Sequence, residues 1–177
     1  TGYQEICTDP SYAGQLVVMT YTQIGNVGVN SEDEESARPF LEGFIVKELF
    51  RQASNWRSRG GLDEYLRGAG IPGLAEIDTR ALVRRIREGG AQSGILSTDP
   101  ALQDETELLE RARGAQELDG RDLVAQVTCT APYVWEEGRW NGITGQLPRS
   151  QRPARTLTLV AYDFGIKRNI LRLLVEQ

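Results

Sequence analysis

The chain has 177 residues, with 20 Lys plus Arg against 25 Asp plus Glu, a net charge of −5. That is room for one domain with a real core and part of another, and a mildly acidic balance that argues against nucleic acid or an anionic membrane as main partner. There is no histidine at all, which removes the commonest general base, the Ser/His and Cys/His nucleophile pairs and most zinc sites.

The opening tract Thr1–Tyr12 is dense in residues that fix backbone shape. Asp9-Pro10-Ser11 predicts a turn, because Pro presets φ and Asp can bond its own backbone two residues on. A hydroxyl on a rigid turn beside a strand is one way to present a polar group to a small ligand, yet spacing alone reads Ser11 as an ordinary surface turn residue. Gln15–Thr20 follows as a short apolar strand, and Gly25-Asn26-Val27-Gly28 as a turn. The acidic run Asp33-Glu34-Glu35 reads as a solvated loop face. Gly43–Leu49 is a second strand. Leu62–Leu66 is a short helix stopped by Gly68 and Gly70.

A firmer helix is predicted over Thr79–Glu88. Asp78 can cap it, Leu82 and Ile86 stand one turn apart on the buried side, and Gly89-Gly90 ends it. Its Arg80, Arg84, Arg85 and Arg87 read as a solvated face, with binding of an anion or acidic partner the alternative. Gly94–Thr98 is a further strand candidate. Asp99-Pro100 gives an N-cap with Pro in the first turn, opening a helix through Leu102, Leu108 and Leu109 to Arg111. Val124–Thr128 reads as a last strand of this domain. Cys7 and Cys129 lie far apart in no C-x-x-C pair, and no signal-peptide pattern opens the chain, so both are expected to be isolated buried thiols in a reducing cytoplasm.

Residues 135–155 carry scattered Gly, Pro, Arg and Gln without apolar periodicity, the texture of a connection between domains. Thr156–Asp163 is then a mostly apolar strand, Gly165 turns the chain, and Ile166–Val175 is a helix with Ile170, Leu171, Leu174 and Val175 apolar. One β-α unit cannot complete a parallel sheet, so the chain is expected to be cut at both ends. No apolar run approaches the ~20 residues of a spanning helix. No dinucleotide fingerprint, Walker loop, H-E-x-x-H or metal-ligand cluster occurs, and no repeat is apparent. Asp163-Phe164-Gly165 is like the kinase D-F-G, but no catalytic-loop or Gly-rich sequence accompanies it.

Specific words go further than spacing. The tract T-G-Y-Q-E-I-x-T-D-P-S-Y (Thr1–Tyr12), I-G-N-x-G (Ile24–Gly28) and Ser54-Asn55-Trp56-Arg57 resemble the small, glutamine-hydrolysing subunit of carbamoyl-phosphate synthase. So do Ile77-Asp78-Thr79-Arg80, Gly120-Arg121-Asp122-Leu123, and Ala161–Gly165 with Lys167-Arg168-Asn169-Ile170. These blocks keep the family's order across essentially the whole chain. Cys7 stands where the family usually has an aliphatic residue, a conservative exchange at a buried position.

The resemblance implies a mixed α/β chain in three parts: 1–134, a layered β/β/α N-terminal domain with its start truncated; 135–155, a linker; and 156–177, the first β-α unit of a doubly wound class I glutamine amidotransferase domain. It implies a cytoplasmic enzyme in which ammonia is released from glutamine through a cysteine thioester by a Cys-His-Glu triad. The ammonia passes to a large subunit, which joins it to bicarbonate with ATP and Mg to give carbamoyl phosphate for arginine and pyrimidine synthesis. The triad is expected beyond Gln177, leaving no catalytic residue, metal or cofactor in this chain and a fragment without glutaminase activity. The implied partners are the large subunit and L-glutamine, with no nucleic acid or membrane. One site residue carries over: Ser11 in D-P-S-Y matches the family serine that reaches across the domain interface to glutamine, in a positioning role. The alternatives are a non-catalytic module that docks the large subunit without touching substrate, and an unrelated carboxylate-based hydrolase, for which no spacing of carboxylates speaks.

Overall fold

The computed structural model describes residues 2–143 and 157–177. Thr1, the predicted linker's 144–155 and Thr156 lie outside the described residues. A three-stranded parallel sheet organises the first half in the order β1 (Leu16–Val18), β2 (Gly43–Ile45), β3 (Gly73–Leu74). Val17 sits opposite Phe44, and Phe44 opposite Gly73. Parallel neighbours need long connections, and the chain between β1 and β2 supplies one that adds two lone bridges, Ile24 to Leu49 and Val29 to Gly60. The first two of the predicted strands are present, shortened to the residues that keep ladder partners.

Helix α1 (Tyr3–Thr8) closes this sheet and escaped the turn-based reading of the opening tract. Its Tyr3 and Cys7, four apart, share one face and are 1% and 0% exposed. They join Ile24, Val29, Leu41, Phe44, Val46, Leu62 and Leu66 in one core. Polar side chains of the same helix replace missing ladder bonds. The Gln4 amide donates to Asn30 O and accepts from Asn30 N at 2.9 Å. The Tyr3 hydroxyl donates to Gly28 O at 2.8 Å and accepts from Val27 N at 3.1 Å, which fixes the predicted Gly25–Gly28 turn.

Helix α2 (Leu62–Gly68) sits where expected and buries Leu62 and Leu66. Helix α3 (Thr79–Gly89) also follows the sequence: Asp78 accepts from Ala81 N at 2.9 Å, and Gly90 ends it at φ 79°. Leu82 and Ile86 are half-buried while its four arginines are exposed. Beyond α3 the elements depart from expectation. Gly94–Thr98 forms no strand; Leu96 instead lies over Gly43, filling the space where a side chain on β2 would stand. Asp99 makes only a local turn, accepting from Ala101 N at 2.9 Å. The capping residue of α4 (Glu105–Arg113) is Asp104, which accepts from Thr106 N at 2.7 Å and Glu107 N at 3.3 Å. Val124–Thr128 is the short helix α5 (Val124–Val127), not a strand. Asp122 accepts from Ala125 N at 3.2 Å, and Thr128 closes the turn onto Val124 O through both its amide and its hydroxyl. That local capping overrides the β-branched composition.

At the C-terminal end, α6 (Arg168–Val175) replaces the predicted helix with a slightly later start. The apolar residues 157–163 form no strand: they have no ladder partner among the described residues, and Leu157 and Val160 stay 91% and 83% exposed. Among the described residues no helix is long and apolar enough to cross a membrane.

Candidate functional site at the Asp9 turn

Asp9 leaves α1 in an extended conformation (φ −70°, ψ 119°) and caps a single 3-10 turn, Pro10–Tyr12. Its Oδ1 accepts from Ser11 N at 2.9 Å, the self-bonding that the turn sequence predicts. Pro10 is buried and Ser11 exposed, so the turn places Ser11 at the surface. Ser11 O accepts from Gln15 Nε2 at 2.9 Å, tying the turn to the start of β1.

The second Asp9 oxygen reaches the other end of the chain. Asp9 Oδ2 pairs with Lys167 Nζ at 2.8 Å, the two side chains being 9% and 43% exposed. Burial pushes the Asp9 carboxyl up, but the Lys167 ammonium and the Ser11 amide and hydroxyl outweigh it and hold the group below its ordinary range. Lys167 is raised, chiefly by its bond to Asp9. Gly165 brings the two segments together. At φ +93°, a Cβ there would lie 2.8 Å from Val127 Cγ2 and 3.2 Å from Pro10 Cβ, so only glycine fits.

The sign of the pH dependence follows. Asp9 titrates lower in the folded chain, so its contribution is complete above the ordinary carboxylate pKa and is lost as pH falls through the depressed value. Lys167 titrates higher, so its contribution is complete below the ordinary lysine pKa and is lost as pH rises through the raised one. The contact between the turn and residues 165–169 is therefore expected to be tightest in a broad central pH window. Amide exchange at Arg168 and Asn169 should accelerate at both ends. Asp9→Asn should remove the acid limb, and an unchanged acid limb in that variant would refute this account of it.

The acidic run 33–35 is not a solvated face. Glu35 is 9% exposed, and it caps α6 from across the fold: Glu35 O accepts from Arg168 N at 2.8 Å and Glu35 Oε2 from Asn169 N at 2.9 Å. Glu34 pairs with Arg168 at 3.0 Å, and Asp33 with Arg57 at 2.7 Å. Free amides and a partial positive charge at the start of α6 attract the Glu35 carboxylate, while Arg168 and Arg57 hold Glu34 and Asp33. Glu35 N in turn donates to Thr8 Oγ1 at 2.8 Å, so α1, the acidic run and α6 share one network.

Asp163 shapes the approach to α6, accepting from Gly165 N and Ile166 N, both at 2.9 Å, and from the Tyr133 hydroxyl at 2.9 Å. Burial, then Asp163 itself, pushes Tyr133 up to about 12. The described residues 135–143 of the predicted linker are anchored: Arg139 pairs with Glu176 at 2.8 Å, and Trp140 lies under Arg57 at 3.8 Å. Neither cysteine is equipped as a nucleophile. Cys7 is 0% exposed and pushed up to about 12 by burial. Cys129 is exposed rather than buried, and no histidine exists to activate it. Among the described residues no cluster of His, Cys, Asp and Glu could hold a metal ion.

The one residue singled out for a site, Ser11, is thus presented on a fixed turn. Its supporting residue Lys167 stood in a block that carried the family resemblance, but its pairing with Asp9 had no local spacing to announce it.

Fold and site together define a mixed α/β chain that holds a polar turn against a second segment. Residues 1–96 match the family model described as the carbamoyl-phosphate synthase small chain, CPSase domain. The chain belongs to the carbamoyl-phosphate synthase small chain family. It is 56% identical over 175 residues to the carbamoyl phosphate synthase small chain of Syntrophotalea carbinolica, covering 99% of this chain and 46% of that protein. The small chain of Nitratidesulfovibrio vulgaris is 48% identical over 177 residues, covering 100% of this chain and 47% of the relative. The chloroplastic small chain of Oryza sativa is 51% identical, with 99% and 38% covered. The chain spans about half the length, or less, of these relatives.

Proposed function

We propose that this chain is part of the glutamine-hydrolysing subunit of carbamoyl-phosphate synthase, with Ser11 touching the bound glutamine. In this reading residues 1–134 are the layered N-terminal domain, and 156–177 open the amidotransferase domain. The subunit delivers ammonia to a large partner subunit, where ATP and Mg drive carbamoyl phosphate synthesis in the cytoplasm for arginine and pyrimidine production. The chain itself holds no cofactor.

The supporting observation is the exposed Ser11 on a turn that Asp9 fixes through Ser11 N and ties to Lys167. With the turn backbone already fixed, the Ser11 side chain can offer one hydrogen bond to a ligand carbonyl or carboxylate at little ordering cost. With no histidine and a deeply buried Cys7, these 177 residues alone are expected to release no ammonia from glutamine.

Ser11→Ala in the full-length subunit tests the site. Glutamine-dependent synthesis should fall by about tenfold or more in kcat/KM, the worth of one well-placed hydrogen bond of ~1.4 kcal/mol, while ammonia-dependent synthesis is retained. Unchanged glutamine KM and kcat would instead support a module that docks the large subunit without contacting substrate.

A further inference from the structure

Beside α3 lies an open cleft of about 940 Å³, bordered by the chain that leaves β1 (Thr20 and Thr22), by Lys47 after β2, and by Arg80, Arg84 and Arg87 on the helix. The three arginines follow a 4,3 spacing, so they form one stripe about 10 Å long. Lys47 brings a fourth cation from a different element. Among the described residues none of the four charged groups has a carboxylate partner, whereas Arg57, Arg139 and Arg168 each hold one. The lining also includes Glu76 and Asp78, which leaves the cleft two positive charges in excess on a chain of net −5. Glu76 at its edge takes φ 66°, the one non-glycine residue with positive φ among the described residues, a strained conformation for a residue with a side chain.

We propose that this cleft is a docking surface for an acidic segment of the large partner subunit; the inference rests on the small-chain reading above. Enclosed small-molecule sites are mostly apolar, with a few polar groups already fixed in place. Here the arginines are exposed, and among the described residues no carboxylate holds their guanidinium groups. Their geometry is left for a partner's carboxylates to set, which is the mode in which arginine clusters read acidic motifs. The stripe also lies along the exposed side of α3, whose Leu82 and Ile86 are already turned inward, so a partner can reach it without unfolding the helix.

The test uses the full-length small chain and its large partner, with affinity measured across salt concentration. R80E/R84E/R87E should weaken assembly about 100-fold at low salt, and R80Q/R84Q/R87Q about 10-fold with a shallower salt dependence than the native pair. R111E, outside the cleft, should change affinity less than about twofold. If the Glu variant misfolds by circular dichroism, the Gln variant decides. Native-like affinity in the folded variant overturns the proposal while leaving the small-chain reading intact. Failure of the native chain to bind the large partner at all overturns both. Tight binding of inorganic tripolyphosphate that the Gln variant loses, with partner affinity unchanged, makes the cleft a small-anion site and overturns docking.

Discussion

Phe44→Ala should lower the unfolding free energy by about 3–5 kcal/mol, the range for truncating a buried Phe. Phe44 is 2% exposed at the centre of the middle strand. Its ring belongs to the cluster that joins α1 (Tyr3, Cys7), the Ile24–Val29 turn and α2 (Leu62, Leu66). The site cannot easily collapse around a smaller side chain. Ladder bonds hold the backbone on both sides, with Phe44 N donating to Pro72 O at 3.0 Å and Glu42 N to Gln15 O at 2.8 Å. A domain has about 5–15 kcal/mol of stability in all, so this one change removes a large part of it. The urea midpoint should fall with little change in m. Phe44→Leu, which keeps most of the volume, should recover more than half of the loss. A shift in Phe44→Ala of under 1 kcal/mol would show that the sheet and α1 do not share a core.

What could be read in advance was local. Asp78, the apolar period of α3 and Gly89-Gly90 carry their own start, face and stop, and Asp9-Pro10-Ser11 its own hydrogen bond. The features that escaped depend on distant partners. Helix α1 is six residues long, too short for propensity to announce it, and is held by Gly28, Asn30 and Glu35. The acidic run looked like a surface because its cap on α6 joins residues 134 positions apart. In Val124–Thr128 the β-branched residues pointed to a strand, while the deciding group was Asp122 just before them. For 157–163 the apolar composition was read correctly, but a strand is a property of a pair, and no partner stands beside it among the described residues. Ser11 was legible as a turn residue from its neighbours. Its tie through Asp9 to Lys167 was not, because nothing local to either end encodes it.

Gly25→Ala should be nearly as damaging, for a reason that has nothing to do with lost apolar area. Gly25 has φ +94°, and a Cβ on it would run into Phe50 O, with Phe50 C at 3.3 Å and Leu49 Cδ1 at 3.2 Å. The obstacle is backbone, and it is pinned: Phe50 N donates to Ile24 O at 2.8 Å, and Ile24 bridges Leu49. Moving it means breaking that bridge or shifting Ile24, which is 0% exposed. Left-handed strain of ~1–2 kcal/mol and overpacking of ~1–3 kcal/mol together give roughly 3 kcal/mol or more. Gly70→Ala separates the two costs within the same chain. Gly70 also has positive φ, at +72°, but a Cβ there meets nothing within 4 Å. It should cost only the strain, about 1 kcal/mol, so the two variants should differ by roughly 2 kcal/mol in denaturant unfolding. Equal costs would mean that the Ile24–Leu49 bridge yields freely and that the Gly25–Gly28 turn, with the Tyr3 clamp upon it, is not a fixed part of the core. A difference of the expected size would locate the chain's rigidity in backbone held against backbone, on the same segment that anchors α1 and, through it, the Asp9 turn.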